Sequence, residues 1–400
     1  MRRRWALSAA ACALAVGTLA PISAAASPAT PAPTKPADAV TVTTAPEGER
    51  DAAAARLVAG MTLEQKAASV VMGHIPTTDP DRLAAYMRGS GIGGFILMGA
   101  NIPGSETSLR KVTAALTVDP ALPPLIAIDE EGGDITRLPW DGFPGAATLK
   151  GDDVAATKDA FLARGALVQR SGANVNFGVV ADVTDERGSF IYRRSLGTNP
   201  AGAADRVAAA VAGEQGQTLS TLKHFPGHGA AAGDSHATIP TTSRSKAKWQ
   251  STDAPPFASG ITGGAELLMF GHLRFSAVDK APASLSAAWH AIARDELGFT
   301  GVAITDDLGM LQASGSKAYR SLVKNAVSSL VAGNDMVLAV MFSDADSATD
   351  MVRGIVAAVG DGTLSAERLD EAATRVTALR LKAAAGGRGL LPCADCTPAE

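Results

Sequence analysis

Three segments carry residues whose types and spacing suit chemistry. Asp306 and Asp307 follow the apolar run Val302-Ala-Ile-Thr305. A carboxylate held at the end of a buried strand can attack an acetal carbon and form a covalent glycosyl intermediate. Paired Asp residues also cap helices or furnish half of a metal site, and the residues alone leave all three readings open. Between Lys223 and Pro240 lie His224, His228 and His236, with Asp234 two positions before the last. The i, i+4 spacing of His224 and His228 matches helical zinc sites, but Pro226 and Gly227 between them rule out a regular helix. Two readings remain for this segment. Its histidines are loop residues satisfied by hydrogen bonds, or Asp234 orients and polarises His236 for acid–base work. Gly227, Gly229 and Gly233 give the loop the freedom to bring that pair over a site. The third segment is Asp129-Glu130-Glu131-Gly132-Gly133.

Positioning these residues needs a scaffold, and the hydropathy pattern supplies one. Apolar runs at 67–75, 92–99, 124–129, 173–181, 219–224, 266–273, 302–306 and 336–341 alternate with helix-like segments. The latter fall at 80–89, 105–117, 153–171, 201–215, 253–263, 287–297, 316–332 and 345–360, with a last helix over 365–384. The runs are apolar on both faces, as parallel strands buried from both sides are. Eight strand–helix units predict a single (β/α)8 TIM-type barrel. A doubly wound open sheet is the competitor, disfavoured because no Gly-rich phosphate loop follows the first run. Asp129, Asp182, His224, His272 and Asp306 all fall at the C-terminal ends of runs, where barrel enzymes place their catalytic groups.

Composition narrows the partners. The 400 residues are 46% hydrophobic and 19% charged, enough for a large core, with a net charge of −4. No basic excess points to nucleic acid. Arg2–Arg4, the apolar run from Trp5 to about Leu19 and the small residues Ser23 to Ala26 read as a cleaved export signal over 1–26. Losing its three arginines takes the net charge to −7. Residues 27–49, rich in Ala, Pro and Thr, read as a tether. A barrel domain over 50–385 and a tail over 386–400 complete the expected organisation. The expected location is therefore secreted or associated with the cell envelope. No later apolar run is long enough to span a membrane once the signal is gone. In an oxidising compartment the tail pair Cys393 and Cys396 is expected to form a small disulfide.

Four segments, in register, resemble one family. Lys223 to Gly229 (Lys-His-Phe-Pro-Gly-His-Gly) followed by Asp234-Ser-His-Ala-Thr-Ile-Pro240 resembles the signature of bacterial β-N-acetylglucosaminidases of glycoside hydrolase family three. Leu297 to Met310 resembles that family's nucleophile region, Asp129 to Arg137 its third-strand motif, and Arg194-Ser-Leu-Gly197 its Arg-Ser-Phe-Gly element. The resemblance implies that Asp306 is the nucleophile and that His236, paired with Asp234, is the general acid/base. It implies that Asp129, Arg194, Lys223 and His224 grip the hydroxyls of a terminal N-acetylglucosamine. Asp134 stands where the family usually carries Arg, and the unusual spacer 185–194 makes Arg193 an alternative to Arg194. The implied enzyme is an exo-acting retaining β-N-acetylhexosaminidase, monomeric, with a carbohydrate substrate and no metal or cofactor. A phosphorylase on the same scaffold is the nearest alternative, since a neutral imidazole does not repel phosphate. A non-catalytic glycan-binding barrel is the other.

Overall fold

The computed structural model describes residues 47–385. The segment 1–26, most of the 27–49 stretch and the Cys393–Cys396 tail lie outside the described residues. Eight parallel strands close into a barrel among them: β1 (Val71–Gly73), β2 (Gly94–Leu97), β3 (Leu125–Ile128), β4 (Val175–Val180), β5 (Leu219–Phe225), β6 (Leu267–Phe270), β7 (Val302–Asp307) and β8 (Met336–Leu338). Each pairs with its sequence neighbours, and β8 closes on β1 through Val71 opposite Val337. The expected (β/α)8 architecture is therefore the observed one.

The two-sided apolarity of the runs has its reason in this geometry. Val175 and Phe177, Leu267 and Met269, and Val302 and Ile304 point inward at two-residue spacing and fill the barrel. The intervening Ile126, Ile128, Leu268 and Phe270 pack outward under the helices. The last helix, Ala366–Ala385, contributes Val376, Leu379 and Ala383 to the same interior cluster. Register shifts interrupt the β4–β5, β5–β6 and β7–β8 ladders, on strands that carry the polar residues of interest.

The first run divides. Residues 67–69 end a helix, Leu63–Ser69, and only Val71–Gly73 is strand. Thr62 and Gln65 form a reciprocal capping box that starts this helix, a local signal stronger than the hydropathy run that crosses its end. A further helix, Glu47–Ala59, begins inside the stretch read as tether and packs along the last helix. The 287–297 segment is α-helical only to Ala291 and then widens into a π turn, Ile292–Glu296. The segment 316–332 becomes a regular helix at Leu322, where Ser321 caps it.

Two loops on the C-terminal side are stitched together by a short parallel ribbon, Thr241–Thr242 with Arg274–Phe275. The Arg274 amide donates to the Pro240 carbonyl at 2.9 Å, fixing the far end of the glycine-rich loop that follows β5.

Candidate active site

The C-terminal mouth of the barrel holds a cavity of about 150 Å³, lined by Asp129, Arg194, Lys223, His224, His236 and Asp306 among others. Six of the seven residues singled out from the sequence thus meet in one place. The seventh, Asp234, sits behind His236.

Asp306 comes from the end of β7 and is half-buried. The backbone amide of Asp307 donates to its Oδ1 at 2.8 Å. Burial pushes its carboxyl up, but the facing imidazoles of His224 and His272 and that amide prevail, so it lies below the usual carboxylate range. Asp307 points the other way. Its carboxylate accepts from the amides of Gly309, Val340 and Met341 at 2.8–2.9 Å, which caps the helix Leu308–Ala313 and ties it to the chain after β8. His272 supports this peptide from behind. Its Nε2 lies 2.8 Å from the Asp307 carbonyl and its Nδ1 2.7 Å from the Ser284 hydroxyl. A carbonyl can only accept, so Nε2 carries the proton and Nδ1 accepts from Ser284. Burial lowers the pKa of His272.

Opposite Asp306 lies a dense set of opposite charges. Lys223 Nζ, from β5, donates to Asp129 Oδ1 at 2.9 Å and to Glu131 Oε1 at 2.7 Å. Arg194 grips Glu131 with both arms, Nε to Oε2 at 2.9 Å and Nη2 to Oε1 at 2.7 Å. Arg137 reaches Asp129 at 3.3 Å. Burial opposes ionisation of Asp129, but Lys223 and Arg137 outweigh it and hold its pKa at about 2. Glu131 is depressed in the same way by Lys223 and Arg194. Gly132 and Gly133 follow with φ of 79° and 69°, reversing the chain immediately after Glu131. A Cβ at Gly132 would stand 2.0 Å from the guanidinium of buried Arg164, so only glycine fits.

His224 is fixed as firmly. Its Nδ1 lies 2.7 Å from Asp182 Oδ2, and its Nε2 faces Arg194 at 3.4 Å. Arg194 can only donate, so Nε2 accepts and Nδ1–H points to Asp182. The Asp182 carboxylate also accepts the amides of His224 and His228, joining the ends of β4 and β5. The result is a rigid rim of charged donors and acceptors, suited to a neutral ligand rich in hydroxyls.

On the loop after β5, Asp234 Oδ1 accepts from His236 Nδ1 at 2.6 Å and from the His236 amide at 3.0 Å. That engagement leaves Nε2 as the ring nitrogen free to exchange a proton. The pair is half exposed, with 57% of the His236 side chain open to solvent, whereas Lys223 and Glu131 show only 3% and 4%. Buried, ion-paired residues and a solvent-accessible imidazole backed by a carboxylate thus border one cavity.

Arg193 does not enter the cavity. It pairs with Asp134 on the surface, at 2.6 and 2.8 Å, so the departure at Asp134 and the Arg193 alternative are two halves of one ion pair. Sequence reasoning missed Glu131 and gave Asp182 no task. The alternation of Asp129 and Glu131 around Glu130 could have found the first, because residues two apart at a strand end share a side. Glu130 turns away, accepting the amides of Arg137 and Leu138 at 2.9 Å, and burial raises its pKa to about 8.

A larger cavity, about 520 Å³, opens at the opposite end of the barrel, lined by residues such as Glu47, Glu266, Thr300 and Lys382. It contains none of the mouth residues, and Lys382 is paired with Glu266 at 2.8 Å. No group of three His, Cys, Asp or Glu among the described residues is arranged to hold a metal. No described helix is long and apolar enough to cross a membrane.

Comparison with known proteins agrees with this fold. The profile described as "Glycosyl hydrolase family 3 N terminal domain" matches residues 62–379. A protein named beta-hexosaminidase from Nitrosomonas eutropha is 34% identical over 276 residues, 66% of this chain and 77% of that one. Another beta-hexosaminidase, from Chromobacterium violaceum, is 34% identical over 62% of this chain and 71% of its own. Among solved structures, a glycoside hydrolase family 3 beta-N-acetylglucosaminidase from Paenibacillus sp. str. FPU-7 superposes with a TM-score of 0.76 at 30% identity, covering 82% of this chain. This chain spans 63% of that enzyme's length. The beta-N-acetylhexosaminidase of Beutenbergia cavernae gives a TM-score of 0.70 at 28% identity, covering 80% of this chain and 99% of that one. The chain belongs to glycosyl hydrolase family 3.

Proposed function

We propose that the protein is an exo-acting β-N-acetylhexosaminidase that releases terminal β-linked N-acetylglucosamine with retention of configuration. The observation that carries this reading is a single cavity lined by an ionised Asp306 and by His236, itself backed by Asp234. In the first step an Asp306 oxygen bonds to the sugar C1 as the bond from C1 to the leaving oxygen breaks. His236 Nε2 delivers its proton to that oxygen, and Asp234 stabilises the imidazolium that supplies it. In the second step His236 Nε2 takes a proton from water, the water oxygen bonds to C1, and the Asp306 carboxylate departs. Two inversions at C1 give net retention. An imidazole here replaces the second carboxylate of the usual glycosidase pair. Asp129, Arg194, Lys223 and His224 hold the sugar hydroxyls through charge-assisted hydrogen bonds. If residues 1–26 direct export, peptidoglycan fragments and chitooligosaccharides are the glycans within reach.

Two measurements test this. Proton NMR of early turnover is expected to show the β-anomer of N-acetylglucosamine first. A slow fluorinated substrate is expected to leave one glycosyl unit on the peptide carrying Asp306. An α-anomer first, or a label elsewhere, refutes the mechanism. Turnover that stops without phosphate and yields N-acetylglucosamine 1-phosphate identifies a phosphorylase instead. Tight glycan binding with no product identifies a non-catalytic binder.

A further inference from the structure

The chain leaving β8 carries an anomaly that the reaction does not use. Phe342 has φ of 60°, the only described residue other than glycine with positive φ, and 70% of its surface is exposed. It occupies the third position of a turn closed by the Ser343 amide donating to the Val340 carbonyl at 3.2 Å. With positive φ that position favours Gly or Asn, and an aromatic side chain there holds a backbone conformation that costs about 1–2 kcal/mol. Exposing so much of a phenyl ring forgoes the stabilisation that burying it would bring.

The turn is nevertheless built firmly. The Asp307 carboxylate accepts the amides of Val340 and Met341, both of which line the catalytic cavity, at 2.8 Å. From the other side, a Cβ at Gly309 would stand 2.3 Å from the Met341 carbonyl, so the helix after the nucleophile packs directly on the turn. The residue beside Asp306 thus also fixes the backbone that presents Phe342 at the cavity's edge. Strain and exposure combined at a rigid rim position are the marks of a residue kept for a ligand.

We propose that Phe342 forms the floor of an aglycone subsite, where its ring stacks on the apolar face of the second sugar of a β-linked N-acetylglucosaminyl oligosaccharide. This deepens the reading of the site as a glycosidase and rests on it. The occupant is a pyranose because Val340 and Met341, the two residues before Phe342, line the cavity that takes the terminal sugar. A second ring of the same chain that lies on this part of the rim meets the Phe342 side chain.

The test compares a substrate that has a second sugar, N,N′-diacetylchitobiose, with one that has none, N-acetyl-β-glucosaminyl fluoride. Phe342→Asn keeps a residue tolerant of positive φ and removes the ring. Its kcat/KM on the disaccharide is expected to fall roughly tenfold, the effect of losing about 60 Å² of apolar contact. Its kcat/KM on the fluoride should stay at the native value, and Phe342→Trp should recover the disaccharide activity. Equal disaccharide activity in the native and Asn forms overturns the subsite, as does an equal loss on both substrates. A native protein inactive on both substrates refutes the glycosidase reading itself, and the inference falls with it.

Discussion

Glu131 gives the sharpest single test of the cradle, because the geometry leaves a substitution there no comfortable arrangement. In Glu131→Gln one carboxylate oxygen becomes an amide nitrogen. Placed at the Oε1 position, that nitrogen faces Lys223 Nζ and Arg194 Nη2, both at 2.7 Å. Placed at Oε2, it faces Arg194 Nε at 2.9 Å. Either way a donor meets a donor, and two cations that are almost wholly buried lose a countercharge. Breaking one partner out of a buried ion pair costs about 3–5 kcal/mol, and retained hydrogen bonds place Gln at ~3 kcal/mol. With an unfolding entropy of ~2.1 cal/mol/K per residue over residues 47–385, that lowers the midpoint by about 4 °C. Freed from their anchor, Lys223 and Arg194 hold the sugar less well, so kcat/KM should fall about tenfold or more, mainly through KM. Matched-rate calorimetry and a saturation curve on an aryl glycoside read both effects. Asp134→Asn, which breaks the exposed pair with Arg193, is the control and should leave the midpoint in place. The pH dependence supplies an internal check. The folded-state pKa of Glu131 is lowered, so its contribution is complete above the unfolded value of about 4.3 and fades as the pH falls through its folded value. The gap between native and Gln forms should therefore narrow from pH 6 to pH 3. A Gln variant with native midpoint and native KM would falsify the idea that Glu131 organises the cradle.

Other outcomes follow from the same geometry. Asp306→Ala should lower turnover by roughly four orders of magnitude or more, and azide should restore it as the α-glycosyl azide. Asp307→Ala should retain substantially more turnover than that while melting earlier, since its carboxylate satisfies three backbone amides; equal losses at both positions would contradict the assignment. His236→Ala should slow substrates with poor leaving groups far more than activated aryl glycosides, and a uniform loss would point to positioning instead. Burial holds His228 and His290 at about 4, below the unfolded His value of about 6.5, so each favours the folded state fully only above pH 6.5. Stability should then decline from pH 6.5 to 4.5, and His228→Leu should flatten the slope.

The barrel was legible because strands buried on both faces write continuous apolar runs, and seven of the eight runs match strands β2–β8 closely. The first did not, because Ala67 and Ala68 are buried by a helix whose start is set by Thr62 and Gln65, and apolarity alone does not separate a helix end from a strand start. The helix from Glu47 was hidden by composition, its alanines continuing an Ala-rich stretch that begins among prolines. At the site, residue types and spacing brought out Asp306, Asp234 and His236, but tertiary partners decided the rest. Glu131 gains its place in the cradle only from Arg194 and Lys223, which come from distant parts of the chain. Whether Arg193 or Arg194 enters depends on Asp134, 59 residues away. The task of Asp182 exists only once β4 lies beside β5.

The helix Glu47–Ala59 and the helix Ala366–Ala385 lie side by side, and Glu47 and Lys382 border the same cavity at the floor of the barrel. Asp306 opens at the other end. Coupling the protein to a bead or surface through either of these helix ends therefore leaves the mouth facing the bulk liquid. Bulky polymer ends can then approach without obstruction from the support. The same neighbourhood makes the fold a candidate for circular permutation, with a short bridge across the floor and new ends opened in a surface turn away from the mouth.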